Sequence, residues 1–407
     1  MARSAHSGAR PARPAAKRRL PAALLAALLL VCGCGRAAIP EEDVSAGTES
    51  PTAASLPTAA ENTAPTVPPP TEASAETAAP AETAAPTKEA GGADASATLT
   101  TNGAVIPLSA LAHRTEEKSA PEVFFTKEIN ADALRLLYAF LVPALPGRIA
   151  VKLTTGESQL TNFLKPELIG PLVKDINGTI IECMTAYGGV RSSALLSKQA
   201  AKDRGYTAVA AFDLLDEDGG KELPLEGGVR LKKAIVGSHI ADYDSVLVLT
   251  HFKGHPMAGF GGAIKNVGIG MSTKKGKIYI HSAGTRTTGT ILHADQNAWL
   301  EAMAEAVKAV SDYENNGANM RYLSVMNRLS VDCDCLAAPM APDMHDVGML
   351  ASVDPVALDQ ACVDLVYAAP DGGSLIARME ALNGVHVLEH AEEIGLGSRH
   401  YRLVCID

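Results

Sequence analysis

Aromatic side chains are scarce in this chain of 407 residues, and none precedes Phe124. From residue 34 to about residue 120 the sequence is mostly Ala, Thr, Pro, Glu and Ser, as in PTVPPPTEASAETAAPAETAAP. Such a segment buries too little apolar surface to offset its loss of conformational entropy, which excludes a packed domain there. We therefore predict a disordered stalk over residues 34–120 and a folded part over residues 121–407.

Acidic residues are missing from residues 1–33, which carry six basic residues. An apolar run over residues 20–31 follows the basic stretch and is too short to span a bilayer permanently. The small residues ahead of Cys34 resemble a bacterial lipobox, in which the cysteine becomes the lipidated N-terminus after cleavage. We predict a lipoprotein-type signal peptide over residues 1–33, and a protein exported and anchored through Cys34 to the outer face of the bacterial cytoplasmic membrane. The alternative is an ordinary secretory signal with an accidental cysteine.

A basic excess is also absent. The chain has 36 basic and 46 acidic residues, and loss of the six bases in the predicted signal changes the formal net charge from −10 to −16. This composition argues against nucleic acid as a partner and against electrostatic docking on anionic lipid. Membrane contact is expected through the lipid on Cys34 alone.

Common catalytic and nucleotide-binding motifs are absent. The sequence has no GxSxG, HExxH, EF-hand loop, four-cysteine ferredoxin run or P-loop, so no nucleotide cofactor is predicted. Short apolar runs instead alternate with helical patterns, which predicts a single α/β domain with a mainly parallel sheet flanked by helices. Strands are predicted at residues 122–126, 149–153, 178–183, 246–249 and 347–351, with a strand pair or one long strand at 322–331. Helices are predicted at 131–142, 166–173, 191–204, 295–313 and 355–366.

The most informative stretch is residues 251–281, HFKGHPMAGFGGAIKNVGIGMSTKKGKIYIH. A buried strand, a Gly-rich loop and a helix follow one another here, and α/β proteins bind ligands at such places. His251 and His255 have the spacing of a metal-binding pair, although the glycine and proline beside His255 favour a loop. The alternative is two histidines that only form hydrogen bonds within that loop.

The same stretch combines positive charge with glycine. Lysine side chains and the backbone N–H groups of a Gly-rich turn can together hold a carboxylate or a phosphate. The candidate residues for such a site are Lys253, Lys265, Gly261 and Gly262. The alternative is a tight turn that packs a helix on the sheet. Lys152 and Arg191 follow other predicted strands, so we expect them at the same edge of the sheet.

Two cysteines alternate with two acids in Asp332-Cys333-Asp334-Cys335. On a strand, side chains two positions apart point the same way, so both thiols would face one side and both carboxylates the other. Two thiolates are good ligands for a soft metal or an iron–sulfur cluster, but they need further ligands, which the histidines could supply. A disulfide and a pair of inert buried thiols remain equally open interpretations.

Several segments resemble the DUF362 family, a group of prokaryotic proteins often labelled iron–sulfur centre proteins. They are VKLTTGE, AYGGVR, LTHFKGHPMAGFGGAIKNVGIG, SVDCDC, VGMLASVDPVALDQACVDLV and GLGSRHYRLVCID, which together cover about residues 122–407. Many family members carry an inserted ferredoxin module, and this chain lacks it. The positions that the resemblance carries over as candidates are His251, Lys253, His255, Lys265, Asn266, Cys333 and Cys335.

Two hypotheses from different classes follow. The first is a membrane-tethered protein that binds a metal ion or an iron–sulfur cluster and has redox activity on an anionic small molecule. Its metal ligands would be Cys333, Cys335, His251 and His255, and its redox partner is not indicated. The second is a lipoprotein that binds a carboxylate or phosphate compound without catalysis.

Overall fold

The computed structural model of the protein describes residues 97–291 and 294–407, and these residues form one compact unit. The strands are β1 (Thr98–Thr100), β2 (Val105–Pro107), β3 (Glu122–Thr126), β4 (Ile149–Lys152), β5 (Thr179–Glu182), β6 (Ala211–Leu214), β7 (Gly220–Pro224), β8 (Lys233–Gly237), β9 (Ser245–His251), β10 (Lys253–His255), β11 (Gly259–Gly261), β12 (Met320–Met326), β13 (Gly348–Ser352) and β14 (Arg402–Cys405). The helices are α1 (Ala131–Phe140), α2 (Pro166–Asp175), α3 (Ala194–Asp203), α4 (Tyr206–Val209), α5 (Ala263–Gly268), α6 (Lys274–His281), α7 (Gln296–Tyr313), α8 (Pro355–Ala368), α9 (Gly373–Ala381) and α10 (His386–Glu393). Within this described part, no helix has the length and apolarity needed to cross a membrane.

Eight strands form the central sheet in the order β14-β3-β13-β12-β9-β4-β5-β6. The two neighbouring pairs that contain β13 are antiparallel, and the other five are parallel. Parallel strands need helices on both faces of the sheet, and their own sequences are therefore apolar throughout. The predicted α/β domain with a mainly parallel sheet and flanking helices is confirmed.

Strand β9 shows how the two layers of the core form. All seven of its residues are buried, and alternate side chains point to opposite faces of the sheet. Val246 and Val248 pack with α5, α7 and α8 on one face. Leu247 and Leu249 pack with α1 and α2 on the other face. The strand is thus held rigidly from both sides, which fixes the position of the residues at its end.

The folded part begins earlier than predicted. Strands β1 and β2 form a hairpin inside the predicted stalk, and Leu99, Ile106 and Leu111 are buried in the core. The boundary at residue 120 is therefore wrong, because the few apolar residues of this segment dock onto a core formed elsewhere in the chain. The predicted signal peptide, Cys34 and the stalk up to residue 96 lie outside the described residues.

Three local predictions around the candidate residues are corrected. The strand predicted to run to residue 331 ends at Met326, close to the positive φ of Arg328, which interrupts an extended conformation. Residues 332–335 consequently lie in a loop. The histidines were expected in a loop, but His251 ends β9 and His255 ends β10, the first strand of a small hairpin with β11.

Candidate functional site

Three neighbouring parallel strands end at one edge of the sheet with a polar side chain. Lys152 ends β4, Glu182 ends β5 and His251 ends β9. After β6 the chain returns to form β9 on the opposite side of β4, so the direction of strand addition reverses between β4 and β9. Ligands of open α/β sheets bind at such a reversal, beyond the carboxyl ends of the strands.

Asp334 joins the 332–335 loop to the end of β9. Its Oδ2 lies 2.9 Å from Nδ1 of His251 and 3.1 Å from Nζ of Lys253, and all three side chains are buried. Burial alone would raise the pKa of Asp334, but Lys253 and His251 hold that pKa well below its ordinary value. The ammonium of Lys253 also donates to the carbonyl oxygen of His251. Lys253 was predicted to hold an anionic ligand, but its ammonium already pairs with the carboxylate of Asp334.

His251 is positioned by two acceptors. Its Nδ1 faces Asp334, and its Nε2 lies 2.7 Å from the carbonyl oxygen of Asn327. Both ring nitrogens face hydrogen-bond acceptors in this arrangement, so neither is directed at the group formed by His255 and the cysteines. His251 is thus placed as a structural donor, contrary to the prediction that it is a metal ligand.

His255 has the opposite pattern at its ring. Its Nδ1 accepts hydrogen bonds from the backbone N–H groups of Met257 and Ala258, at 3.1 Å and 3.0 Å. Burial, followed by the charges of Lys265 and Lys253, lowers the pKa of His255 well below its ordinary value. The neutral ring therefore carries its proton on Nε2, which lies 3.7 Å from Sγ of Cys335.

Cys333 and Cys335 form a disulfide in the loop, and Asp334 between them points to His251. The prediction that both thiols face one side of a strand and both carboxylates the other therefore does not apply, because these residues lie in a loop. The two sulfur atoms and a ring nitrogen of His255 lie within 4.8 Å of one another. With the disulfide reduced, this spacing could hold a metal ion. The structure thus brings His255 to the cysteines and leaves His251 outside that group.

A four-cysteine cluster does not fit the described residues. Three other cysteines occur there, Cys183, Cys362 and Cys405, and none of them belongs to the group around His255. Burial raises the pKa of Cys183 to about 12 and that of Cys362 well above its ordinary value, so both are inert core thiols.

Arg191 forms the centre of a buried ion-pair network. Its guanidinium lies 2.8 Å from Glu182 and 3.0 Å from Glu157, and it donates to the hydroxyl of Tyr187. Glu182 also accepts from Thr155. Burial alone would lower the pKa of Arg191, but its acidic neighbours raise it. Arg191 lies at the predicted edge of the sheet, and the carboxylates of Glu157 and Glu182 already use its charge.

Asn266 links β4 to β9 across the point where the strand order reverses. Its amide nitrogen donates to the carbonyl oxygen of Leu249, at 3.0 Å, and its Oδ1 accepts from Nζ of Lys152 at 3.0 Å. The same ammonium donates to the carbonyl oxygen of Leu153 at 2.5 Å. Lys152 is fully buried and has no carboxylate partner in the described part of the chain, and burial lowers its pKa to about 8.

The N-terminus of α5 holds an anion from within the protein. Asp359 of α8 accepts from the backbone N–H groups of Ala263 and Ile264, at 2.7 Å and 2.9 Å. A Cβ atom at Gly262 would collide with this carboxylate, so glycine is required there for the close approach. Asp359 is fully buried, which raises its pKa to about 7.

A cavity of about 660 Å³ opens beside these groups. Its cationic wall is formed by Lys152, Lys265, Lys277 and Arg191, and its apolar wall by Met257, Ile269, Ile291, Trp299 and Leu336. His255 and Cys335 line the same cavity, while Gly261 and Gly262 line a smaller pocket that shares His255, Lys265 and Cys335 with it. Sequence reasoning missed Lys277, because nothing in KKGKIYIH separates it from the two exposed lysines that precede it.

Comparison with known proteins identifies the family. The profile described as "Domain of unknown function (DUF362)" matches residues 149–364. This chain belongs to the DUF362 family. The DUF362 match contains every residue that lines the cavity, and it leaves out the hairpin of β1 and β2 as well as β3, α1, α9, α10 and β14. No curated protein matches the chain.

Two solved structures resemble parts of this DUF362 protein. The lactate racemase apoprotein from Thermoanaerobacterium thermosaccharolyticum is 13% identical over 61% of this chain and 57% of that one, with a TM-score of 0.37. A protein from Thermotoga maritima is 12% identical over 59% of each chain, also with a TM-score of 0.37. The chain therefore spans less than two thirds of either structure.

Proposed function

We propose that this DUF362 domain binds a small anionic molecule in the cavity at the carboxyl edge of the sheet. The observation that carries the proposal is an imbalance of charge in the cavity wall. Both carboxylates of that wall, Glu157 and Glu182, pair with Arg191. Lys152, Lys265 and Lys277 have no carboxylate partner among the described residues. Burying unpaired cations is costly, so a bound carboxylate or phosphate would stabilise this site.

The other wall of the cavity restricts the ligand further. Met257, Ile269 and Trp299 add apolar side chains to the lining that also contains the cations. A volume of about 660 Å³ is typical of sites for small organic ligands. The ligand is therefore an anion with an apolar part, and inorganic phosphate should occupy only its charged end.

Thermal denaturation and titration calorimetry with inorganic phosphate at pH 7 test this proposal. Phosphate should raise the melting temperature of the wild type, because a ligand that binds the folded state stabilises it. Lys277→Met should weaken phosphate binding by about tenfold to a hundredfold, the effect of losing one charge-assisted hydrogen bond. The unliganded variant should be at least as stable as the wild type, because it loses an unpaired buried cation.

The matched control is Lys275→Met, which changes an exposed lysine of the same helix. It should bind phosphate as the wild type does. Equal binding by the wild type and Lys277→Met, or no binding by either, would refute the proposed anion site.

Binding of a metal ion is the second candidate function. The close approach of His255, Cys333 and Cys335 supports it, once the disulfide is reduced. The tautomer of His255 opposes it, because a metal-bound histidine normally donates through its other nitrogen and here that nitrogen accepts. Elemental analysis of reduced protein incubated with zinc distinguishes the two cases. Zinc that is retained by Cys405→Ala and lost from Cys335→Ala would establish the metal site.

We also propose that the protein is held at the outer face of the membrane by a lipid on Cys34. The basic and apolar segments that precede this cysteine support the proposal. Cys34→Ala should move the protein from the membrane fraction to the soluble fraction or leave its signal uncleaved. A variant that keeps both the wild-type distribution and a cleaved signal would contradict lipid anchoring.

A further inference from the structure

Lys265 differs from the other lysines of the site. Lys152 donates to Leu153 and Asn266, and Lys253 pairs with Asp334. Lys277 donates to the carbonyl oxygen of Ser272. The ammonium of Lys265 forms no hydrogen bond and no ion pair with any residue of 97–291 or 294–407. It nevertheless lines both the large cavity and the smaller pocket beside it.

The surroundings of Lys265 favour its uncharged form. Four cations act on Lys265: Lys152 on β4, Lys253 on β10, Lys277 on α6 and Arg191 on the loop after β5. Glu157, Glu182 and His255 line the same cavity. Asp359 of α8 caps the N-terminus of α5, the helix that carries Lys265. The acids that share these pockets with Lys265 or cap its helix already have partners: Arg191 for Glu157 and Glu182, His251 and Lys253 for Asp334, and backbone N–H groups for Asp359. Burial, followed by the charges of Lys253 and Arg191, lowers the pKa of Lys265 to about 7.

An amine without a counter-ion, facing a cavity, is suited to act as a nucleophile. The free amine of lysine attacks carbonyl carbon, whereas the ammonium cannot. Roughly half of Lys265 is uncharged at pH 7, against about one in two thousand for an exposed lysine. Lys152 and Lys277 border the same cavity and can hold an anionic group of the same molecule.

We propose that Lys265 forms an imine with an anionic carbonyl compound, such as a 2-oxo acid, bound in this cavity. This inference rests on the proposed anion-binding function. The lone pair of Nζ forms a bond to the carbonyl carbon and gives a carbinolamine. Loss of water then yields the C=N double bond, and both protons that leave the nitrogen depart in that water. The step consumes no oxidant, reductant or further reactant.

Reductive trapping tests the imine. The full chain is incubated at pH 7 with glyoxylate, pyruvate or 2-oxoglutarate and sodium cyanoborohydride, and the adducts are counted by intact mass and located by peptide mapping. At least one compound should label Lys265 about tenfold or more in preference to any other lysine. Lys265→Met should lack that adduct, and the exposed-site control Lys275→Met should be labelled as the wild type is. The labelling rate should rise through about pH 7.

Two further readouts separate this inference from the proposed function. Inorganic phosphate and propionate carry the negative charge but have no aldehyde or keto carbonyl that could form an imine. They should therefore slow the labelling of Lys265 and raise the melting temperature. If they stabilise the protein and no compound labels Lys265, the imine is refuted and anion binding stands. If Lys265 is labelled and neither anion protects it, the anionic substrate is refuted. Labelling spread evenly over exposed lysines also overturns the inference.

Discussion

Asp334 connects the two sequence segments that form the smaller pocket. It lies in the cysteine loop, and its carboxylate reaches His251 at the end of β9 and Lys253 on β10. A buried carboxylate that is bonded to a lysine and a histidine holds both segments in place, because losing it would leave these partners without their acceptor. Asp334 is therefore a structural link in the site.

We expect Asp334→Asn to destabilise the protein by about 3–5 kcal/mol, as the loss of one partner from a buried ion pair typically does. The measurement is urea denaturation at pH 7. The control is Asp332→Asn, whose partner Arg378 lies 3.4 Å away and is partly exposed, with an expected effect of about 1 kcal/mol. Since the pKa of Asp334 is lowered, its contribution persists above pH of about 4 and is lost as the pH falls below that value. Equal effects of the two substitutions would contradict this role.

The same residues show what sequence reasoning could reach at this scale. The spacing of His251 and His255 predicted a pair with a shared role, and the cysteine pair was left open between metal, disulfide and inert thiols. The structure gives the histidines opposite roles, since His251 faces acceptors and His255 faces donors. Those partners come from backbone groups and from a loop more than 80 positions away, which spacing does not encode.

At the scale of elements, α5 is packed against α8 through its N-terminus. The Gly-rich turn before α5 predicted a site for an external anion, and Asp359 of α8 supplies that anion internally. A helix shorter than two turns gains little from its own hydrogen bonds, so this contact and the packing on α7 stabilise it. The contact also positions Lys265 and Asn266, which both lie on α5.

Asp359 should make stability depend on pH. Its folded-state pKa is raised to about 7, whereas the unfolded value is about 4, so the folded state binds the proton more tightly between those values. The free energy of unfolding should therefore fall as the pH rises from about 4 to 7, by up to about 1.4 kcal/mol per pH unit from this residue. Asp359→Asn should lack this component. The test is urea denaturation of both proteins across that range, and parallel pH profiles would refute the assignment.

At the scale of the whole molecule, the sheet brings together residues that are far apart in sequence. Strands β4, β5 and β9 end at one edge, and the loops that follow them line the cavity together with residues of α5, α6, α7 and the cysteine loop. The hairpin of β1 and β2 packs on the same core, although its composition resembles that of the predicted stalk. The unit that carries the site therefore includes residues well before 121.

Two shortened chains test this boundary. A chain that begins at residue 97 should unfold at the temperature of the full-length chain, because it keeps every core residue that the structure describes. A chain that begins at residue 121 loses the buried side chains of Leu99, Ile106 and Leu111, each worth about 1.5–3 kcal/mol. Calorimetry should show a much lower transition for the second chain. Identical transitions would restore the predicted boundary.

The sequence by itself determined the fold class and the region of the site. Apolar runs that alternate with helical patterns require a sheet covered on both faces, and polar residues that follow such strands must meet at its carboxyl edge. Tertiary structure alone decided which charges have partners. The carboxylates that pair with Arg191 and Lys253 come from β5 and from loops brought together by the sheet, and these segments bring no such partner to Lys265 within residues 97–291 and 294–407. Hydrogen bonds have direction and short range, so a pattern of residue types does not fix them before the chain folds.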